Sequence, residues 1–138
     1  MLFAGELTGV QTVHLTTIIL LVLALYVAQI FLQETSRFRF DLKSIVGNRD
    51  VQPEPSAIAA RLDRAKNNLL EALPIFISLA LLALTRGTNQ EAEAQGALVF
   101  LVARVVYVPA YVSGIPWLRS LVWLASMAGL LMMALPMI

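Results

Sequence analysis

The chain has 138 residues, 59% of them hydrophobic and only 14% charged, with a net charge of +1 and a mean hydropathy of +0.77. Ordinary globular domains carry about a quarter charged residues, so this balance points to one compact integral membrane domain. No basic patch interleaved with aromatics supports nucleic-acid binding. The absence of cysteine excludes disulfides, thiolate metal sites and cysteine nucleophiles, and a single histidine excludes a His/Cys zinc site.

A bilayer-spanning helix needs about 20 mostly apolar residues. Four segments meet that demand, over about 10–33, 57–85, 95–113 and 116–137. The first is too long for a secretory signal and lacks both a basic start and a small-residue cleavage site. His14 near its start reads as a boundary residue. A polar connection over 34–56 follows, ending in Pro53 and Pro55.

Ser56 then supplies an N-cap for one helix running from Ala57 to about Leu84. The apolar part of this second span alone is too short, so its polar flank RLDRAKNNLLE continues the same helix. TRGTNQEAE reads as a short second connection, and SGIPW, with Gly114 and Pro116 as breakers, as the third. Pro74 and Pro109 lie inside spans, where proline is tolerated. Met127, Met132 and Met133 read as packing or lipid-facing filler, and Trp117 and Trp123 as interfacial or packing residues.

Nine of the ten basic residues fall on one side. They are Arg37, Arg39, Lys43, Arg49, Arg61, Arg64, Lys66, Arg104 and Arg119; Arg86 alone falls on the other. The positive-inside rule then puts both termini away from the cytoplasm, with connections one and three on the cytoplasmic side.

The charge entering the second span is ordered. At about 100° per residue, Arg61, Arg64, Asn68 and Glu71 share one narrow arc, while Asp63 and Lys66 point elsewhere. In the third span, Arg104, Tyr107 and Tyr111 also share a face. Arg104 lies well inside an apolar run and needs a partner there. Glu71 lies about 15 Å along its helix from Arg61, at about 1.5 Å per residue, and Arg104 lies at a similar height on an antiparallel helix. A Glu71–Arg104 ion pair is therefore expected, within one chain or between subunits. The same count sets Asn68 level with Tyr107, and Arg64 with Tyr111. The polar layer occupies the cytoplasmic half of the membrane, and the outer half is expected to be plain Leu, Ala, Ile and Val. Such a layer suits an anionic or zwitterionic ligand: arginine grips carboxylates bidentately, Glu71 takes an ammonium, and tyrosine hydroxyls complete the hydrogen bonds.

The motifs R-x-x-R-A-x-x-N-x-x-E-x-x-P in span two, R-x-x-Y-x-x-x-Y in span three and G-I-P-W-L-R-S before span four resemble the MAPEG family, the membrane-associated proteins of eicosanoid and glutathione metabolism. The resemblance covers nearly the whole chain. It implies one domain over 1–138, an all-α four-transmembrane-helix bundle forming a homotrimer, with glutathione as co-substrate between subunits near the cytoplasmic side and no metal. Matched by position, Arg64, Asn68, Glu71, Tyr107 and Tyr111 would contact glutathione, joined by Arg37. Arg104 matches the family's intramembrane arginine. Arg119 matches the arginine that holds the sulfur as thiolate, and Ser120 is placed to donate a hydrogen bond to it. A nearby cation raises the thiolate fraction of a thiol.

Asn67 stands where some prostaglandin-synthase members carry arginine, and Trp123 where some have tyrosine. Both departures favour a bacterial-type glutathione transferase or peroxidase, in a bacterial inner membrane, acting on lipophilic electrophiles or lipid hydroperoxides that enter from the lipid. Each feature also has a plainer explanation. Arg61 and Lys66 would snorkel to the interface. Arg64, Asn68 and Glu71 would glue helices together. Tyr107 and Tyr111 would be packing residues or anchors. On that reading the chain is a non-catalytic membrane protein presenting lipophilic ligands, and Arg119 is dispensable. A transport path would need polar groups through both membrane halves.

Overall fold

The computed structural model describes residues 2–37, 43, 46–47, 56–86 and 90–138, with side chains from Leu15 onward and without that of Gln90. The His14 side chain, Arg39, Arg49, Pro53 and Pro55 lie outside the described residues. Among the described residues four long helices follow one another: α1 (Leu2–Arg37), α2 (Ala57–Arg86), α3 (Gln90–Val112) and α4 (Pro116–Ala134), the last closed by a 3₁₀ turn, Leu135–Met137.

Local chemistry sets most of these limits. Ser56 caps α2: its Oγ accepts the Ala59 amide at 3.1 Å, and its carbonyl accepts that of Ala60 at 2.9 Å. Buried Ala59, Leu62, Ala65, Leu69, Leu73, Phe76, Ala80 and Ala83 then recur every three or four residues along α2. Pro74 sits inside α2 and Pro109 inside α3 without ending either helix. Gly114, at φ 77°, and Pro116 at the start of α4 turn the chain between α3 and α4.

Three boundaries differ from the sequence expectation, the first being the start of α1, at Leu2 and not near 10. Helix α1 continues through residues 34–37, which the sequence assigns to the connection. Helix α3 begins at Gln90 and not near 95. Glu91 and Glu93 in its first turn explain the early start, because carboxylates there oppose the positive end of the helix dipole. Of TRGTNQEAE, Thr85 and Arg86 belong to α2 and residues 90–93 to α3.

The core runs between α1, α2 and α3. Leu15, Ile18 and Val22 of α1 pack against Leu69, Phe76 and Ala80 of α2 and against Ala97 and Phe100 of α3. The rings of Phe76 and Phe100 stack at 4.7 Å and 11°. Helix α4 packs chiefly on α3, backbone to backbone. A Cβ on Gly129 would lie 2.8 Å from the Gly96 carbonyl oxygen and 2.7 Å from the Phe100 nitrogen. Small residues bring membrane helices this close, where lipid supplies no hydrophobic drive between them.

All four helices are long and apolar enough to cross a membrane, over Leu15–Arg37, Ala57–Arg86, Glu91–Val112 and Pro116–Met137. Large apolar side chains stand outward, among them Leu20, Phe31, Leu81, Val102, Leu121, Leu124 and Leu131. A soluble protein would not tolerate that surface, and a bilayer requires it. The chain is an integral membrane protein. One expectation fails at the end of the bundle where α3 begins: Glu93 is fully buried there, and neither carboxylate oxygen has a hydrogen-bond partner among the described residues. That half is therefore not purely apolar. Its glutamate falls in a stretch that reads as a connection, which hides its burial.

Candidate functional site

Helices α2 and α4 both lean on α3 and touch each other little, so a cleft opens between them with α3 as its floor. It has two chambers sharing Asn68 and Trp123. One, of about 350 Å³, is lined by Asn68, Tyr107, Arg119, Ser120, Trp123 and Leu124. The other, of about 230 Å³, is lined by Asn68, Glu71, Ala72, Ile75, Arg104, Trp123 and Met127.

Helix α3 supplies the floor. Arg104 is 1% exposed, the largest fully buried side chain among the described residues. Its Nη1 donates to Asn68 Oδ1 at 2.7 Å. Its guanidinium lies 5.0 Å from the Tyr107 ring centroid and 5.5 Å from that of Phe100. Nε and Nη2 are buried with no acceptor. The two tyrosines meet edge to face at 5.6 Å. Tyr111 then joins three elements: its hydroxyl accepts Arg64 Nε of α2 at 3.2 Å, and its ring lies 4.9 Å below the Arg119 guanidinium of α4. Arg64 meets Tyr111 as its height predicts; Asn68, expected level with Tyr107, lines a chamber with it but bonds Arg104.

The Glu71–Arg104 ion pair does not form within one chain. Asn68 takes the guanidinium instead. Glu71 follows Asn68 by three residues, about 60° round the helix at 100° per residue. Its side chain is exposed on the flank of α2, whereas Arg104 is packed beneath it. The expected partner is thus replaced by the residue three positions before it on α2.

Arg119, half-buried, has among the described residues no carboxylate beside it; it stacks on Tyr111. Ser120 lines the same chamber, but its hydroxyl donates to the Pro116 carbonyl at 3.0 Å. Arg37 stands apart: it ends α1, half-buried, its Nε without a partner, and it lines neither chamber. As expected from their angle, Asp63 and Lys66 turn away from the cleft. They pair at 3.1 Å, and Lys66 Nζ donates to Gln33 of α1 at 3.4 Å.

Two residues have roles the sequence reading did not give them. Trp123 walls both chambers; its spacing of four from Arg119 puts both on one face of α4, so the signal was present. Arg61 has a specific partner besides. Its Nη1 donates to the Val112 carbonyl at 3.0 Å, at the C-terminus of α3.

Chemically, the chambers offer the guanidiniums of Arg104 and Arg119, the Glu71 carboxylate and the Tyr107 phenol, with Ile75, Met127 and Leu124 at the apolar margin. It fits a zwitterionic molecule beside an apolar one. A four-helix membrane protein with a cationic cleft set into its span is the class these observations define. The model of the MAPEG family matches residues 11–138, and the chain belongs to that family. Membership places it among membrane proteins of glutathione and eicosanoid metabolism, a family that includes transferases and peroxidases alongside non-catalytic members. Neither the curated proteins nor the solved structures gave a match.

Proposed function

We propose that this protein is a membrane-embedded glutathione transferase or peroxidase that binds glutathione in the α2–α4 cleft and activates it as a thiolate. The observation that carries the reading is Arg119, a guanidinium without a carboxylate partner among the described residues, held over Tyr111 in a cleft it shares with Asn68 and Trp123. A cation left unneutralised beside a thiol favours the thiolate. Arg64 takes a glutathione carboxylate, Glu71 the ammonium, and Asn68, Tyr107 and Tyr111 supply hydrogen bonds. Arg104 keeps Asn68 and Tyr107 in place from below, and Arg37, which lines neither chamber of its own chain, contributes to a site only across a subunit boundary. Ser120 donates to the sulfur once its hydroxyl leaves the Pro116 carbonyl.

With an electrophile, the thiolate forms a carbon–sulfur bond as the leaving group departs with its electron pair, and the thiol proton passes to solvent. With a lipid hydroperoxide, the thiolate attacks the distal oxygen. The O–O bond breaks to give an alcohol and a sulfenic acid, which a second glutathione converts to the disulfide and water. The lipophilic substrate enters from the bilayer past Ile75, Trp123 and Met127. Glu71, exposed in one chain, and the two unsatisfied Arg104 donors support assembly as a homotrimer with glutathione between neighbouring copies. The arginine distribution supports a cytoplasmic cleft with both termini outside, in a bacterial inner membrane.

Titration calorimetry of glutathione into detergent-purified protein tests the reading, paired with conjugation of a simple aryl halide. Binding by the wild type, weakened in Arg64→Ala and Glu71→Gln, is expected. A wild type that neither binds glutathione nor conjugates the halide leaves the cleft as helix glue in a non-catalytic protein.

A further inference from the structure

We infer that Arg61 is a positioning residue: it builds the α3–α4 turn that aims Arg119, without touching the cleft. The inference rests on the functional reading above for its link to thiol activation, and on geometry alone for the turn.

A helix ends with carbonyls that have no partner inside the helix. In or near a bilayer they need a donor, because water is scarce. At the end of α3, Arg61 is that donor, reaching from the second turn of α2 to the Val112 carbonyl at 3.0 Å. The same guanidinium lies against Gly114. A Cβ there would fall 3.0 Å from Arg61 Cζ, 3.0 Å from Nη2 and 3.1 Å from Nη1. Three near-equal distances mean that the flat face of the guanidinium covers the turn. Gly114 thus meets two demands: a φ of 77°, and no side chain where Arg61 sits.

The consequence reaches Arg119 in a few bonds. The Gly114 amide donates to the Tyr111 carbonyl at 3.1 Å, and Ser113 Oγ to that of Ala110 at 2.6 Å. Ile115 is extended, Pro116 starts α4, and the Arg119 amide donates to the Ile115 carbonyl at 3.2 Å. Arg119 therefore sits in the first turn of a helix whose origin is this loop. Its guanidinium folds back over Tyr111, whose hydroxyl is held by Arg64, one turn beyond Arg61. Two arginines of α2 thus hold both sides of the joint, Arg64 by a side chain and Arg61 by the backbone. Arg61 lines neither chamber, so its effect passes only through the turn. Lysine does not replace it, since an ammonium has no plane to lay on Gly114.

Two readouts on the full chain in detergent, for wild type, Arg61→Ala and Arg61→Lys, test this. The first needs no ligand: hydrogen–deuterium exchange of peptides covering 112–119. Both variants should exchange there faster by about tenfold, the factor one hydrogen bond carries, with peptides over 94–103 unchanged. The second is the glutathione thiolate absorbance with the glutathione dissociation constant. Thiolate amplitude and turnover should fall by about tenfold while binding stays within about threefold, and methylguanidinium should restore part of both exchange protection and thiolate in Arg61→Ala. Unchanged exchange at 112–119 in Arg61→Ala overturns the inference, as does Arg61→Lys behaving as wild type. So does a loss of protection spread evenly over all helices with no rescue, which marks a general structural role. If the wild type gives no thiolate, the functional reading fails by itself, and the exchange experiment still decides whether Arg61 builds the turn.

Discussion

The Arg104–Asn68 contact allows a quantitative test. Arg104 is 1% exposed, and its one side-chain hydrogen bond among the described residues is the 2.7 Å contact to Asn68 Oδ1, with Nε and Nη2 unmatched there. Replacing Asn68 by leucine, of similar size, leaves a buried guanidinium with no acceptor and only the Phe100 and Tyr107 ring faces. A hydrogen bond to a charged group contributes about 1.5–3 kcal/mol, and stranding a buried charge costs at the upper end. Asn68→Leu should therefore destabilise the bundle by about 2–3 kcal/mol. Arg104→Met removes the charge that needs a partner and keeps an unbranched apolar filler, and Asn68 is then left only half-buried at a wet cleft. In the Arg104→Met background, Asn68→Leu should cost less than about 0.5 kcal/mol, giving a coupling near 2 kcal/mol. Reversible unfolding in mixed detergent–SDS micelles measures all four corners of the cycle. Equal costs of Asn68→Leu in both backgrounds would show that Arg104 does not depend on Asn68, and the account of the cleft floor would be wrong.

Other expectations follow from single contacts. Gly129→Ala sets a methyl 2.7–2.8 Å from backbone atoms of α3 that cannot rotate aside; it should cost about 1–3 kcal/mol in the same unfolding assay. Ser56→Ala should cost about 1 kcal/mol and speed amide exchange in the first turn of α2, whereas Ser56→Asp should retain the cap. Tyr111→Phe removes the acceptor of Arg64 but keeps the ring beneath Arg119. Calorimetry should show glutathione affinity reduced by up to about tenfold, with the thiolate signal at saturation preserved.

Much of this molecule is legible in its residues. Four apolar runs give four helices. Ser56 before an alanine-rich start gives the cap of α2. Period and rise along α2 and α3 place Arg64 beside Tyr111 and bring Asn68 to the α3 tyrosine layer. What escapes the sequence is angular and local. Glu71 and Asn68 lie three residues apart, about 4.5 Å along α2, and only packing shows that Arg104 reaches the amide and not the carboxylate. Ser120 prefers its own helix carbonyl, a choice that spacing does not reveal. Arg61 reads as an interfacial cation because its acceptor, a backbone carbonyl 51 residues on, carries no side-chain signature. Glu93 is hidden because a glutamate between two spans reads as a turn residue until α3 buries it.

The central claim is that Arg119 turns bound glutathione into a thiolate. Ultraviolet difference absorbance at the thiolate band, on adding glutathione to purified wild type and to Arg119→Ala, tests it most directly. The account predicts a band in the wild type that is lost in Arg119→Ala while calorimetry still detects glutathione in the variant. A band of equal size in both proteins, or glutathione bound by the wild type with no band at all, would contradict it.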